Sequence, residues 1–265
     1  MPPRGSQMSV TVPVFTSPSP RIALVPVDRP WNWLAAGWKD FTRAPRVSLA
    51  YGAGFVALSY ALTFGLWLSG LFYLFLPLIG GFFIVAPLLA VGLYEVSRRH
   101  MAGETVDLRV ALTAWRAPRQ IALLGVVLLL IHLVWVRVAL LLFALFFSGR
   151  NPGFGDLIQT IFLSPASLPF LITGTIIGAA FATLAFAVSV VSIPMLLDRD
   201  VNVITAVATS MTAARANYRS MALWAALIVG FTACGIVTFF IGLAIVLPLI
   251  AHASWHAYRD LVVHD

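Results

Sequence analysis

Residues 121–147 read IALLGVVLLLIHLVWVRVALLLFALFF, and this stretch decides the class of fold. An α-helix rises ~1.5 Å per residue, so the run is long enough to cross a bilayer, which takes ~20 apolar residues. The whole chain agrees, because 60% of its 265 residues are hydrophobic and only 10% are charged. Soluble domains carry about 25% charged residues, and a globule of this size cannot bury so much apolar surface. The sequence therefore predicts an all-α membrane protein.

Five further stretches are long and apolar enough to be membrane spans. Together with the first stretch, the predicted spans are 47–68, 71–96, 121–147, 168–197, 221–238 and 239–258. No polar loop separates the last two, so a break near Thr238 follows from length alone. The sequence thus predicts six transmembrane helices.

The basic residues indicate the orientation of these spans. On a six-span path, all of the 17 Lys and Arg residues except Arg137 and Arg150 lie on one face. Basic residues stay on the cytoplasmic side of a membrane, so we expect a multi-pass protein of the bacterial inner membrane with both termini cytoplasmic. The arginines flank apolar runs and form no basic folded module, which argues against nucleic acid as a partner.

Three basic segments have apolar residues at helical spacing, and each of them precedes its own pair of predicted spans. In the first, Trp31, Leu34, Trp38 and Phe41 form an apolar stripe that leaves Asp40 on the polar side. Such segments are typical of short amphipathic helices in the membrane surface. They read WNWLAAGWKDF (31–41), DLRVALTAWR (107–116) and NVITAVATSMTAAR (202–215).

A repeated tetrapeptide follows the surface segments. RAPR at 43–46 recurs at 116–119, and RANYR at 215–219 is a looser copy. A proline ends one helix and is tolerated in the first turn of the next. We therefore predict one six-span domain, residues 31–265, after a disordered tail at 1–30 with no signal-peptide core.

The domain divides into three similar units, each with a cytoplasmic surface helix followed by a hairpin of two spans. Because each unit has an even number of spans, the three hairpin repeats are parallel and related by an axis along the membrane normal. The units cover residues of about 31–100, 104–200 and 202–265.

Four segments also resemble a known family: GWKDFTRAPRVSLAYG (37–52), GLYEVSRRHMAGE (92–104), PMLLDRDVNVITAVATSM (194–211) and HASWHAYRDLV (252–262). The chain resembles a bacterial family of predicted integral membrane proteins of unknown function. Some members of that family carry the label cytochrome c oxidase subunit I. The resemblance implies a membrane protein and no particular activity.

The histidine count argues against the oxidase label. A haem–copper subunit needs about six histidines in its bundle, because haem and copper favour imidazole. This chain has five, and His100 and His264 lie in polar flanks. We therefore expect no catalytic oxidase subunit and no bound haem, copper or other cofactor. An accessory or assembly role beside a respiratory enzyme stays open.

His252 and His256 are four residues apart and share one face of a helix. That spacing can hold a metal or a haem edge, but no other predicted span offers a clear third ligand. The favoured alternative is a pair of interfacial histidines near the headgroups, beside Trp255 and Tyr258. We therefore assign no metal site.

His132 and Arg137 lie inside the third predicted span. Ionisable groups are costly in a bilayer and often functional, although polar groups also serve helix packing. Arg137 can also extend toward the outer headgroups. Both residues are candidates for a functional role.

The repeat alignment brings three charged residues to one depth: Arg98, Asp198 and Arg259. Each lies eleven positions after an aligned residue, namely Pro87, Ala187 and Pro248. We predict that Asp198 lies within ion-pair distance, ~4 Å, of Arg98 or Arg259. With Glu95, one turn before Arg98, this cluster is either a structural clasp, which we favour, or the gate of a pore.

No nucleotide-binding loop, nucleophile elbow or zinc-protease motif is present, so an enzyme is the least supported class. The first hypothesis is a non-catalytic scaffold, accessory or assembly component that contacts lipid and other membrane-protein subunits. The alternative is a small-solute transporter or channel with a path along a pseudo-threefold axis. A polar cavity lined by His132, Glu95 or Asp198 would favour transport, and a dry apolar interior would favour the scaffold.

Overall fold

The computed structural model describes residues 20–71, 74–114, 118–148 and 159–263. These residues are predominantly helical, as predicted. In chain order the helices are α1 (Arg29–Arg43), α2 (Pro45–Leu68), α3 (Phe75–Leu89), α4 (Val91–Met101), α5 (Leu108–Leu112), α6 (Pro118–Phe146), α7 (Ser167–Ser189), α8 (Ser192–Asp198), α9 (Val203–Ala216), α10 (Tyr218–Val237) and α11 (Leu243–Leu261).

Four helical segments in the described part of the chain are long and apolar enough to cross a membrane. They are Pro45–Leu68, Arg119–Phe146, Ser167–Asp198 and Tyr218–Val237. Their bounds agree with four of the six predicted spans. The described part of the chain is therefore helical, with several segments that have the length and composition of membrane spans.

The other two predicted spans, 71–96 and 239–258, are not among these four apolar helical segments, for two different reasons. The segment after α2 is interrupted at Ala90, which separates α3 from α4. α11 carries His252, His256 and Arg259 in its second half, and these side chains lower its mean hydropathy. Both segments are nevertheless helical over most of their predicted lengths.

α11 runs antiparallel to α2 along its length. At one end, the Tyr60 hydroxyl donates a hydrogen bond to the Phe239 carbonyl, 2.7 Å away. At the other end, the Ser48 hydroxyl lies 3.1 Å from His252. Between them, Gly52 lets the backbone of α2 approach that of α11. α11 therefore returns from the far end of α2 to its beginning.

The break before α11 falls where length predicted it, near Thr238. Phe239 and Phe240 have φ angles of 53° and 67°, in the left-handed region that side chains with a Cβ rarely adopt. α10 therefore ends at Val237, and α11 starts afresh at Leu243.

All three predicted surface segments contain a helix: α1, α5 and α9. Ala44 separates α1 from α2, and Asn217 separates α9 from α10, at the positions where the repeated tetrapeptide predicted breaks. The predicted faces of α1 are partly wrong. Asp40, expected on the polar side, is buried, whereas Trp31 and Trp38 of the predicted apolar stripe are about half exposed. Asp40 faces inward because its carboxylate has partners on other helices.

The predicted tail boundary at residue 30 lies too late in the chain. Residues 20–28 run across the ends of α10 and α11, and Ile22 forms an isolated antiparallel bridge with Val262. The Asn217 side chain accepts a hydrogen bond from the Val25 amide (2.9 Å) and donates one to the Ala23 carbonyl (3.0 Å). Residues 20–28 are held in place by partners that are distant in the sequence, so their local composition alone did not predict an ordered segment. Residues 1–19 lie outside the described part.

The helices form two groups. α1, α2, α4 and α10 pack on α11, whereas α3, α6 and α7 pack on one another. Charged side chains gather where α4, α8 and α11 end, and we call this region the basic end. The two groups leave a cleft between α7 and α10. The fold therefore has two candidate functional sites, the basic end and this cleft.

Candidate functional site

A buried cluster at the basic end centres on Asp40 of α1, which is 4% exposed. Its two carboxylate oxygens lie 3.1 Å from His100 Nδ1 and 2.8 Å from His256 Nε2. A carboxylate only accepts hydrogen bonds, so both ring nitrogens must carry the hydrogen. We call Asp40, His100, His252 and His256 the aspartate–histidine cluster.

His252 completes the cluster and is fully buried. Its Nδ1 lies 2.8 Å from the Ser97 hydroxyl, and its Nε2 lies 3.1 Å from the Ser48 hydroxyl. A neutral imidazole has one donor and one acceptor nitrogen, and hydroxyls can complement both. His252 therefore ties α11 to α2 and to α4.

Two opposing effects set the pKa of Asp40. Burial raises the pKa, but hydrogen bonds with His256 and Ser97 and the charge of the imidazoles outweigh burial and hold it below its ordinary value. Asp40 is thus a buried carboxylate that stays ionised because imidazoles surround it.

The location of the histidine pair differs from the favoured sequence prediction. His252 and His256 point into the protein, toward α1, α2 and α4, rather than toward headgroups. The partners that sequence analysis missed lie outside the predicted spans or are serines. The sequence holds one signal for Asp40, because the spacing of Trp33, Gly37 and Asp40 places all three on one helical face; the structure buries that face.

The cluster has the chemistry of a structural clasp. Within the described ranges, no group of three or more His, Cys, Asp or Glu side chains is arranged to hold a metal ion. The two sides of the Asp40 carboxylate are each occupied by an imidazole. The arrangement therefore joins α1, α4 and α11 through hydrogen bonds.

A second cluster confirms the ion pair predicted from the repeat alignment. Arg259 Nη1 lies 3.5 Å from an Asp198 carboxylate oxygen. The Tyr258 hydroxyl donates to the same oxygen at 2.7 Å, a contact that sequence analysis missed. This joins the end of α8 to the end of α11. Arg199 instead donates to the Val263 carbonyl at 2.8 Å.

Removing Asp198 alone is expected to destabilise the protein more than removing both partners. Asp198→Ala leaves a partly buried guanidinium without its carboxylate, whereas Asp198→Ala with Arg259→Ala removes both charges. We expect the single variant to be less stable than the double variant by about 1 kcal/mol, since both side chains are partly exposed. Thermal unfolding in detergent measures the difference. Equal stability of the two variants would show that the pair does not couple.

Glu95 forms a separate ion-pair group on α4 and is almost fully buried. Its carboxylate lies 2.7 Å from Arg98 Nε and 2.9 Å from Arg99 Nε. Arg99 also lies 3.6 Å from Glu104. Glu95 thus pairs with arginines three and four residues further along α4, and this group adds a local clasp at the basic end.

His132 and Arg137 do not meet on α6. His132 packs against Gly81 of α3, and its buried Nδ1 has no hydrogen-bond partner among the described residues. Arg137 is exposed on α6, beside Leu133 and Leu141. Neither residue joins the clusters at the basic end.

The second candidate site is the cleft between α7 and α10, with a volume of about 1060 Å³. α6 and α11 form its inner walls, and Pro87 of α3 reaches it. Its described lining includes no Asp, Glu, Lys, Arg or His, and so excludes His132, Glu95 and Asp198. The cleft therefore has the apolar character that we associated with a scaffold.

Two glycines face unoccupied space in this cleft. A Cβ added at Gly174 of α7 or at Gly230 of α10 would meet nothing within 4 Å. Gly178, one turn further along α7, would instead meet the Trp135 ring at 3.0 Å. The two glycines of α7 thus differ, because Gly178 packs against Trp135 inside the protein and Gly174 faces the open cleft.

Comparison with known proteins agrees with this fold. Residues 74–198, from α3 through α8, match the model of a family described as predicted integral membrane protein (DUF2189). The match covers just under half of the chain and confirms the resemblance inferred from the residues. No curated protein and no solved structure gave a significant match. The chain is thus similar to an integral membrane protein family of unknown function.

Proposed function

We propose that the protein is a non-catalytic component of the bacterial inner membrane that scaffolds, supports or helps to assemble a larger membrane complex. The observation that carries this proposal is the mainly apolar cleft, whose described lining contains no Asp, Glu, Lys, Arg or His and only scattered hydroxyl groups. A solute path would need polar groups in place of the solute's hydration shell. Apolar walls of this kind instead suit a stabilising role in the membrane, where hydrocarbon or an apolar helix face covers them.

The carboxylates at the basic end support the same proposal, because other side chains of the protein engage them. Asp40 is engaged by His100 and His256, and Asp198 by Tyr258 and Arg259. Buried polar groups that satisfy one another specify one arrangement of helices. Their role here is to hold helix ends together.

The proposed architecture has six spans in three parallel hairpin repeats. α11 lies antiparallel to α2, which supports a sixth crossing. The interruptions at Ala90 and Val190 each fall three residues after an aligned position, Pro87 and Ala187, which supports the repeat. On this path both termini are cytoplasmic.

Reporter fusions test that orientation. A reporter active only in the periplasm should be silent after Asp265 and active when inserted near Gly153, because basic residues favour the cytoplasmic face. Reporter activity in living cells is the measurement. The reverse pattern would refute the orientation, and activity at both sites would exclude an even number of spans.

The scaffold proposal itself is tested by mild extraction of a tagged chain, with the mass of the resulting particle measured by native mass spectrometry. We expect a particle heavier than the chain in detergent and lipid, with a defined membrane-protein partner. Isolated chain alone, together with solute uptake after reconstitution into vesicles, would favour the transporter.

One observation keeps transport as a second candidate. The buried His132 Nδ1 without a described partner is an ionisable group at membrane depth, where such groups often mark ion paths. If the protein transports a solute, His132→Asn should abolish uptake by reconstituted vesicles while leaving thermal stability unchanged. On the scaffold proposal, neither the natural chain nor the variant shows uptake.

A further inference from the structure

We infer that the cleft between α7 and α10 binds an anionic phospholipid, with an acyl chain between the two helices and the phosphate at Arg215 and Arg219. This goes beyond a scaffolding role, because it assigns a ligand to the protein itself. Three features support the assignment: the size and position of the cleft, the small apolar residues that line it, and the arginines at one of its ends.

The cleft has the size and position of a ligand site. Pockets of ~300–1,000 Å³ hold drug-sized molecules, and this cleft of about 1060 Å³ is slightly larger than that range. Both of its outer walls belong to helices that can cross a membrane. An unfilled apolar space would forfeit dispersion contacts along its walls, and a hydrocarbon chain would restore them.

Both walls of the cleft, α7 and α10, carry small residues that face the open space. Gly174 and Gly230 have no neighbour where a side chain would project. Ala182, Ala222 and Ala226 also line the cleft with small side chains. The walls therefore leave room for a flexible chain at membrane depth.

Charge at the basic end identifies the class of headgroup. Tyr218 lines the cleft, and the Arg219 guanidinium contacts its ring and hydroxyl, so Arg219 lies beside the cleft. Arg215 follows the lining residue Ala214 at the end of α9, four residues before Arg219. Arg219 Nε hydrogen-bonds the Tyr218 hydroxyl at 2.9 Å, and both arginines are exposed. Among the described residues neither arginine has a carboxylate within ion-pair distance. A phosphate is the group that such arginines bind best.

The assignment is tested by quantifying phospholipid retained by purified, full-length protein. After washing with mild detergent, the protein is mixed with vesicles of phosphatidylglycerol or phosphatidylcholine, and bound lipid is counted by native mass spectrometry. We expect about one tightly held lipid per chain, with phosphatidylglycerol preferred.

Two sets of variants separate the cleft from the general lipid shell. Gly174→Phe and Gly230→Phe, made singly and together, fill the open space and should abolish the tightly held lipid. Ile176→Phe, at a 65% exposed position of α7 outside the cleft lining, is the matched control and should retain it. Helix propensity rises at both glycines, so these variants should still fold.

Arg215→Gln with Arg219→Gln should weaken phosphatidylglycerol binding about tenfold, to the level of phosphatidylcholine. Arg46→Gln, at another exposed arginine of the basic end, should not. Equal lipid retention by natural and filled proteins would overturn the assignment. Loss of a co-purifying protein helix from the filled variants, with lipid unchanged, would also overturn it.

Discussion

Asp40→Ala is expected to lower the free energy of unfolding by about 3 kcal/mol, the cost of removing one partner from a buried charged network. Two imidazoles, those of His100 and His256, would then face a cavity instead of a carboxylate. Because Asp40 joins α1 to α4 and α11, the loss should also loosen the basic end. Thermal and denaturant unfolding in detergent measure the effect.

Asp200→Ala is the control for this prediction, since Asp200 is an exposed aspartate near the same end. Its removal should change stability by less than about 0.5 kcal/mol, as surface substitutions usually do. Equal effects of the two substitutions would show that the aspartate–histidine cluster does not hold the helices together.

Because of Asp40, the free energy of unfolding should also depend on pH. Its pKa is lower in the folded protein than in the unfolded chain, so its contribution is complete above the ordinary pKa of 3.8 and is lost as pH falls below that value. The difference in stability between the natural protein and Asp40→Asn should therefore shrink as the pH is lowered from 6 toward about 3. A constant difference over that interval would contradict an ionised Asp40.

Gly52→Ala is expected to have the second large effect, a loss of about 3 kcal/mol. The new Cβ would fall on the backbone of Ala244, so α2 and α11 would have to move apart. Backbone atoms cannot move aside as a flexible side chain can. Stability measured by unfolding in detergent should therefore fall, and α11 should become more accessible to proteolysis.

Gly54→Ala is the matched control on the same helix. Nothing lies within 4 Å of a Cβ at Gly54, so this change gains helix propensity without a clash. We expect it to be neutral or stabilising by up to about 1 kcal/mol. If Gly52→Ala were equally harmless, the close packing of α2 on α11 would be wrong.

The parts of the fold that sequence patterns predicted are those set by local composition. The apolar run at 121–147 predicted α6, and the RAPR segment at 43–46 predicted the break between α1 and α2. The repeat alignment even predicted that Asp198 pairs with Arg98 or Arg259, because equal offsets in similar units place side chains at one depth, and the pair with Arg259 is present.

The parts that sequence patterns missed depend on packing between distant segments. Asp40 lies opposite the apolar stripe that we assigned to α1, and its burial follows from histidines contributed by α4 and α11. The cleft likewise depends on how two groups of helices diverge. Gly174 and Gly178 look alike in the sequence, yet only Gly178 is packed against Trp135.

Cysteine labelling across the membrane tests the central claim, six spans, most directly. In a Cys234→Ser background, Ala102→Cys follows α4 and Ile241→Cys precedes α11; both positions are exposed. With six spans, a membrane-impermeant maleimide added to intact cells should label Ile241→Cys and should reach Ala102→Cys only after the membrane is permeabilised. If only the four most apolar segments crossed, the C-terminus would stay cytoplasmic but both results would reverse. Labelling of Ala102→Cys and protection of Ile241→Cys in intact cells would therefore contradict the six-span architecture.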